Sequence, residues 1–138
     1  MDKKNKNTNA DLTKSIFFQL VSYNWLIDNR ITFPKTAFIL LLYIFRQTLG
    51  YRRDSDFLRY SLIQKRTGIS KPSLTIYTNW LIANEYINRI DENDCVIGEY
   101  EVPRGYRGKL YYSISDYLMN ILIENYKKLS EKTNKENE

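Results

Sequence analysis

Residues 60–87, YSLIQKRTGISKPSLTIYTNWLIANEYI, constrain the chain more than any other stretch, because their start and stop signals admit little besides two short helices joined by a tight turn. Ser61 is placed to cap the first helix, and Gln64 three residues on completes a capping box. Gly68 stands where that helix must stop, since a residue without Cβ takes the left-handed backbone of a helix end at least cost. Ile69 is an apolar turn residue and Ser70 a second cap. Pro72 falls in the first turn of the next helix, where its missing N–H is no loss. A pair with strand preference, Tyr86 and Ile87, follows at once. This is the pattern of a helix-turn-helix.

The flanks extend the pattern. Residues 16–20 form either a short apolar strand or the lead into a helix over 21–28, with Trp25 and Leu26 as core residues. A loop at 29–33 precedes Pro34, which opens a helix ending near Thr48 with Gly50 as its C-cap. That helix holds the nine-residue apolar run 37–45. It is apolar on nearly every side, so neighbours must cover it, and it is expected to be the hub of the core. A membrane span needs about 20 apolar residues, so the run is a buried helix and no membrane partner is expected. Residues 51–59 are a polar connection. Residues 85–90 alternate as a half-buried strand does, 91–94 (DEND) signal a turn, and 95–102 resume the alternation. A Gly-punctuated basic tip at 103–109 and a returning strand at 110–114 follow. Ser115 or Asp116 then caps a last amphipathic helix with Leu118, Ile121, Leu122, Tyr126 and Leu129 on its apolar face. The fold class expected is α+β, mainly helical: a winged helix-turn-helix with a long β-hairpin wing and an extra C-terminal helix. One domain at 16–131 is expected, between a disordered basic arm at 1–15 and a charged flexible tail at 132–138.

Composition excludes several classes. The 138 residues contain no His and one Cys, which removes Cys/His zinc sites, Cys-His dyads and Ser-His-Asp triads. A disulfide framework is excluded as well, which suits a reducing cytoplasm. Asp54 and Asp56 are the only close carboxylate pair beside a basic cluster; without a further ligand they read as a turn. There is no phosphate-binding Gly loop and no nucleophile–base pair. With 12 tyrosines a Tyr nucleophile is conceivable, but its usual His companions are missing. The chain is expected to be neither an enzyme nor a holder of metal or cofactor.

The net charge of +5 is unevenly spread: residues 30–90 hold ten basic and three acidic residues, whereas 91–109 hold three and five. The excess lies in the segment with the helix-turn-helix, as a polyanion-binding surface requires. In its second helix, Leu74, Tyr77 or Thr78, and Leu81 recur at helical spacing and should face the core. Lys71, Ser73, Thr75, Ile76 and Asn79 are left for the outer face. Such side chains suit base reading: Asn pairs with adenine, Ser or Thr bonds either partner, and Ile touches a thymine methyl. Arg52, Arg53, Arg59, Lys65 and Arg66 are suited to flanking phosphates. Arg104, Arg107 and Lys109 form a basic wing tip for phosphates or the minor groove. The acidic residues Asp91, Glu92, Asp94, Glu99 and Glu101 restrict any such contact to the tip.

The run RQTLGY at 46–51, the helix with Ser61, TGIS at 67–70 and LIANEYI at 81–87 resemble the N-terminal DNA-binding domain of phage replication initiators of the O type, over about residues 32–90. The region is similar, more weakly, to the winged-helix heads of plasmid replication initiators from Gram-positive bacteria. The resemblance implies binding to repeated origin sites through the helix at 71–84. Those initiators normally continue into a segment that recruits helicase machinery, whereas here one helix and a charged tail follow. The function expected is sequence-specific binding of double-stranded DNA in a phage, plasmid or conjugative element, at an origin, transfer site or promoter. A homodimer is the usual form for paired half-sites, built through the last helix or the apolar N-terminal segment. The alternative is a protein-interaction adaptor that docks a replication or transfer protein.

Overall fold

The computed structural model describes residues 12–102 and 104–136, with 133–136 described by their helical backbone alone. The main elements in order are α1 (Ile16–Asp28), α2 (Lys35–Phe45), β1 (Asp56–Phe57), α3 (Tyr60–Thr67), α4 (Lys71–Ala83), β2 (Ile87–Ile90), β3 (Tyr111–Ile114) and α5 (Asp116–Glu136). The fold is α+β and mostly helical, with a three-stranded antiparallel sheet in the order β1-β3-β2. Most of the expected basic arm lies outside the described residues, but Leu12 packs against the core. Where a flexible tail is expected from 132, the helix backbone continues to Glu136.

α1 starts at Ile16 because Ser15 caps it, its Oγ accepting from Phe18 N at 3.0 Å. Residues 16–20 are therefore helix, and Phe18, Ser22 and Leu26, four apart, form its buried stripe. α2 is the hub that its composition demands, packed against α4 and β3. Leu40, Leu41, Ile44 and Phe45 on it are all buried. Full burial of side chains of this size stabilises by about 1.5–3 kcal/mol each.

Beyond Phe45 the helix widens into a π turn, Arg46–Gly50, so the expected C-cap at Gly50 is not formed. The stop comes two residues later. Arg52 takes the left-handed conformation (φ 60°), while Arg53 N donates to Thr48 O (2.7 Å) and Arg52 N to Leu49 O (3.0 Å). These bonds are the paired closure of a Schellman end, with an arginine in the place glycine favours. The following connection is not wholly irregular. It contains β1, whose Asp56 and Phe57 pair with Tyr112 and Tyr111. Two residues are too short for any periodicity to show, and the strand exists because β3 offers it a partner.

α3 begins at Tyr60 with Arg59 as its N-cap residue and no side-chain cap, so Ser61 lies inside the first turn and the expected capping box is absent. The turn after it follows the local signals. Gly68 is left-handed (φ 76°) and donates to Gln64 O at 2.8 Å, and Ser70 Oγ accepts from Ser73 N at 3.3 Å. Ile69 is buried in the core between the two helices. α4 turns Leu74, Thr78 and Leu81 inward and ends with Glu85 left-handed, Tyr86 N bonded to Leu81 O.

β2 and β3 pair in register from Ile87↔Ile114 to Ile90↔Tyr111. The expected turn after β2 is present, with Asp91 Oδ1 accepting from Asn93 N (2.8 Å) and Cys95 N (2.9 Å). The strand expected at 95–102 is not: one bridge, Ile90↔Val96, forms before the chain turns away. The cause is local. Gly98 and Glu101 close a turn, Glu101 Oε2 accepting from Gly98 N (2.8 Å), and Tyr100 is left-handed (φ 55°) with its N–H directed at α4. A long loop thus joins the two strands instead of a regular hairpin. Ser115 caps α5, its Oγ accepting from Leu118 N (3.1 Å) and donating to Glu85 O. α5 lies mainly on α1, with Phe18 and Tyr126 edge to face at 5.7 Å. Leu118, Leu122 and Ile123 are its buried residues, while Leu129 is exposed.

Candidate nucleic-acid interface

α4 presents its outer face as a succession of small and polar side chains. Lys71, Thr75 and Ile76 are exposed and Ser73 is half-buried. Ile76, 51% exposed, is an apolar side chain held in water. Thr75 Oγ1 donates to Lys71 O (3.2 Å) while the side chain stays exposed.

Asn79 departs from the outer face assigned to it. It is 3% exposed. Its Nδ2 donates to Thr75 O (2.7 Å), and its Oδ1 accepts from Tyr100 N (2.7 Å) and Arg89 Nη2 (3.3 Å). The loop crosses α4 at this residue and uses the amide as its anchor. An amide with its donor and acceptor both engaged in the fold has no bidentate pair left to offer a base.

Arg89 is the second unexpected residue. It occupies an inward register of β2, between buried Ile87 and half-buried Ile90, and is 2% exposed. Nη2 donates to Gly98 O (2.7 Å) as well as to Asn79 Oδ1. The guanidinium also lies beside the Tyr112 phenol, whose other neighbour is the Tyr60 phenol. Burial holds the Tyr112 phenol well above its ordinary pKa; the Tyr60 phenol adds to this, and Arg89 works against it. One guanidinium therefore ties β2, α4 and the loop together. Its signal in the sequence was an arginine at an inward position of the alternating segment EYINRI.

Around these two residues lies a cleft with a volume of about 670 Å³ between α4, the sheet and the loop. Arg59, Lys71, Thr75, Arg89 and Arg104 line it, and among the described residues no Asp or Glu does. The ring of Phe57, at its edge, carries Arg59 at 5.3 Å and Lys109 at 5.6 Å, cation over aromatic face. Such contacts hold cationic heads in place at about 0.5–1 kcal/mol each when exposed. Lys65 borders a shallow groove with Arg59 and Phe57. The structure thus gathers Arg59, Lys65, Lys71, Arg104 and Lys109 on one side of the molecule's helix-turn-helix and loop.

The remaining expected cations are placed differently. Arg66 Nη1 donates to Tyr43 Oη (3.3 Å), and Arg46 lies over the same ring at 5.3 Å, so these two border another groove. Arg53 pairs with Asp56 at 3.2 Å, and Arg52 and Arg107 are exposed. An exposed pair such as Arg53–Asp56 contributes about 0–1 kcal/mol. At the loop tip, Tyr106 folds back over Gly108, where a Cβ would collide with its phenol. Burial raises the Tyr106 pKa, with Asp91 and Glu92 adding to it. Pro103 lies outside the described residues. Among the described residues no helix is long and apolar enough to cross a membrane.

Comparison of the chain with protein-family models, curated proteins and solved structures found no match.

Proposed function

We propose that this chain is a winged helix-turn-helix module that binds double-stranded DNA sequence-specifically, in the manner of the replication initiators its sequence resembles. The observation that carries the reading is the convergence of Arg59, Lys71, Arg104 and Lys109, from three separate segments, beside the exposed N-terminal half of α4. The base-reading set is Lys71, Ser73, Thr75 and Ile76, with Asn79 removed to a structural role. In this arrangement α4 enters the major groove while the loop tip, with Arg104 and Arg107, follows the adjacent phosphates. Phosphate neutralisation by such cations makes affinity fall with salt, with about 0.9 log unit per log unit of salt for each contact.

The chain acts as a homodimer in this proposal. Phe17, Leu20 and Ile27 on α1, continued by Ile31 at 93% exposure, form an apolar stripe that water faces. A stripe of this kind suits a self-complementary contact about a two-fold axis, and two half-sites about one helical turn apart would match it. The element served belongs to a phage, plasmid or conjugative system. The test is selection of bound fragments from the element's genome, followed by footprinting and by measurement of the mass of the complex. Protection of repeated half-sites by two copies is expected, at an origin, a transfer site or a promoter. Arg107→Ala should weaken binding to every sequence and flatten the salt slope by about one contact. Absence of any protected sequence would remove the reading in favour of an adaptor that docks a replication or transfer protein.

A further inference from the structure

Arg89 carries more than its structural bonds explain. Its Nε has no hydrogen-bond partner among the described residues, although the side chain is fully enclosed. No ion pair to it is formed among the described residues, and the acceptors it bonds are neutral, a carbonyl and an amide. An arginine keeps its charge in a protein, and a cation withdrawn from water without an anion is costly. The other charges on the cleft wall, Arg59, Lys71 and Arg104, have the same sign. Among the described residues four cations and no carboxylate line the cleft, which exceeds what one carboxylate ligand would need and suits a phosphate dianion. Phe57 and Tyr106 add aromatic wall to the same cleft. Its volume of about 670 Å³ matches a small organic ligand.

We propose that this cleft binds a free phosphate monoester carrying a planar ring, of the mononucleotide class. The phosphate sits above Arg89, whose charge faces it from the cleft wall, while Arg104 and Lys71 close over it from the rim and the ring lies against the aromatic wall. A duplex could supply the same phosphate chemistry, but its backbone runs over a surface, and Arg89 at 2% exposure sits beneath the loop. A small ligand entering the cleft lies against the wall that Arg89 helps to form. Because the loop that roofs the cleft also carries Arg104, occupancy would set the position of the tip.

The inference stands apart from the DNA reading, since it is tested without DNA. The full chain is titrated calorimetrically with AMP, GMP, CMP and UMP, and with adenosine, ribose 5-phosphate and inorganic phosphate. Saturable one-site binding of at least one mononucleotide is expected, about tenfold or more tighter than its nucleoside. Arg104→Ala should weaken it several-fold with an unchanged circular dichroism spectrum. Arg89→Lys, which keeps the charge but loses the fork, should weaken it further and narrow the gap between nucleotide and nucleoside. If that variant does not fold, Lys71→Ala with Arg104→Ala makes the same comparison. No saturation by any mononucleotide at millimolar concentration overturns the proposal, as does inorganic phosphate binding as tightly as the nucleotide. If Arg89→Lys lowers duplex affinity while free mononucleotides fail to bind, the phosphate belongs to DNA and the proposal is overturned. Saturable nucleotide binding by a chain that protects no DNA supports it and removes the DNA reading instead.

Discussion

Replacing Asn79 by alanine separates a residue that reads DNA from one that holds the fold. The amide spans three partners: Thr75 O at 2.7 Å, Tyr100 N at 2.7 Å and Arg89 Nη2 at 3.3 Å. The bond within α4 is dispensable, because Thr75 O already has its helical partner. Losing the acceptor strands two donors. A buried donor left unmade costs about 1–3 kcal/mol. The Tyr100 N–H, near the surface, regains part of this from water, whereas the Arg89 hydrogen is charged and enclosed. A loss of about 2–4 kcal/mol in unfolding free energy follows from these terms. Equilibrium urea unfolding, followed by the fluorescence of Trp25 and Trp80, measures it directly. Hydrogen exchange at the Tyr100 amide reports the loop, which should open. Asn79→Asp retains the acceptor opposite a guanidinium but turns a second oxygen toward Thr75 O, and should recover part of the stability. Under the proposed function, DNA affinity should fall in Asn79→Ala equally for preferred and unrelated sequences. An unfolding free energy within 0.5 kcal/mol of wild type, the usual range for a surface substitution, with Tyr100 still protected, would refute the structural role.

Two further predictions concern the backbone and the buried phenol. Arg52→Gly relieves a left-handed arginine at the end of the π turn; the strain of about 1–2 kcal/mol, less about 0.4–1 kcal/mol for the freer unfolded chain, leaves a gain of about 0.5–1 kcal/mol, read as a higher urea midpoint. A lower midpoint would contradict the assignment of strain there. Tyr112 has a folded pKa above the unfolded value of 10.0, so the folded state keeps a proton that the unfolded chain releases. Its contribution is complete below that unfolded value and is lost as pH rises through the folded one, at up to about 1.4 kcal/mol per pH unit. Stability measured above pH 10 should decline less steeply in Tyr112→Phe than in wild type, and an identical slope would show that this phenol titrates alike in both states.

The helix-turn-helix was legible in the sequence because its determinants act over a few residues. Gly68, Ser70 and Pro72 impose a stop, a cap and a start through bonds that span four residues or fewer, and α3 and α4 are bounded as those signals demand. Leu74 and Leu81 follow as inward residues from helical spacing, which left Tyr77 or Thr78 open between them; Thr78 is the buried one. The failures were of two kinds. Gly50 and Ser61 carried the right chemistry one or two residues from where it was used, since the π turn shifted the end of α2 to Arg52 and α3 began before Ser61. The alternation of 95–102 promised a strand, but a strand needs a neighbour, and the chain found a better acceptor in Asn79 than in β2.

The sequence by itself determined the helices, the turn between them, the apolar hub at α2 and the basic character of the central segment. Tertiary structure decided which side chains that segment can offer. Asn79 lies on a flank of α4 that is open or closed according to where a loop residue 21 positions further on comes to rest, and helical periodicity holds no information about that. Arg89 was an ordinary charge in an alternating segment until the sheet placed it inward and the loop covered it. Contacts between residues distant in the chain, each worth little alone, made one the anchor of the loop and the other an enclosed cation facing a cleft.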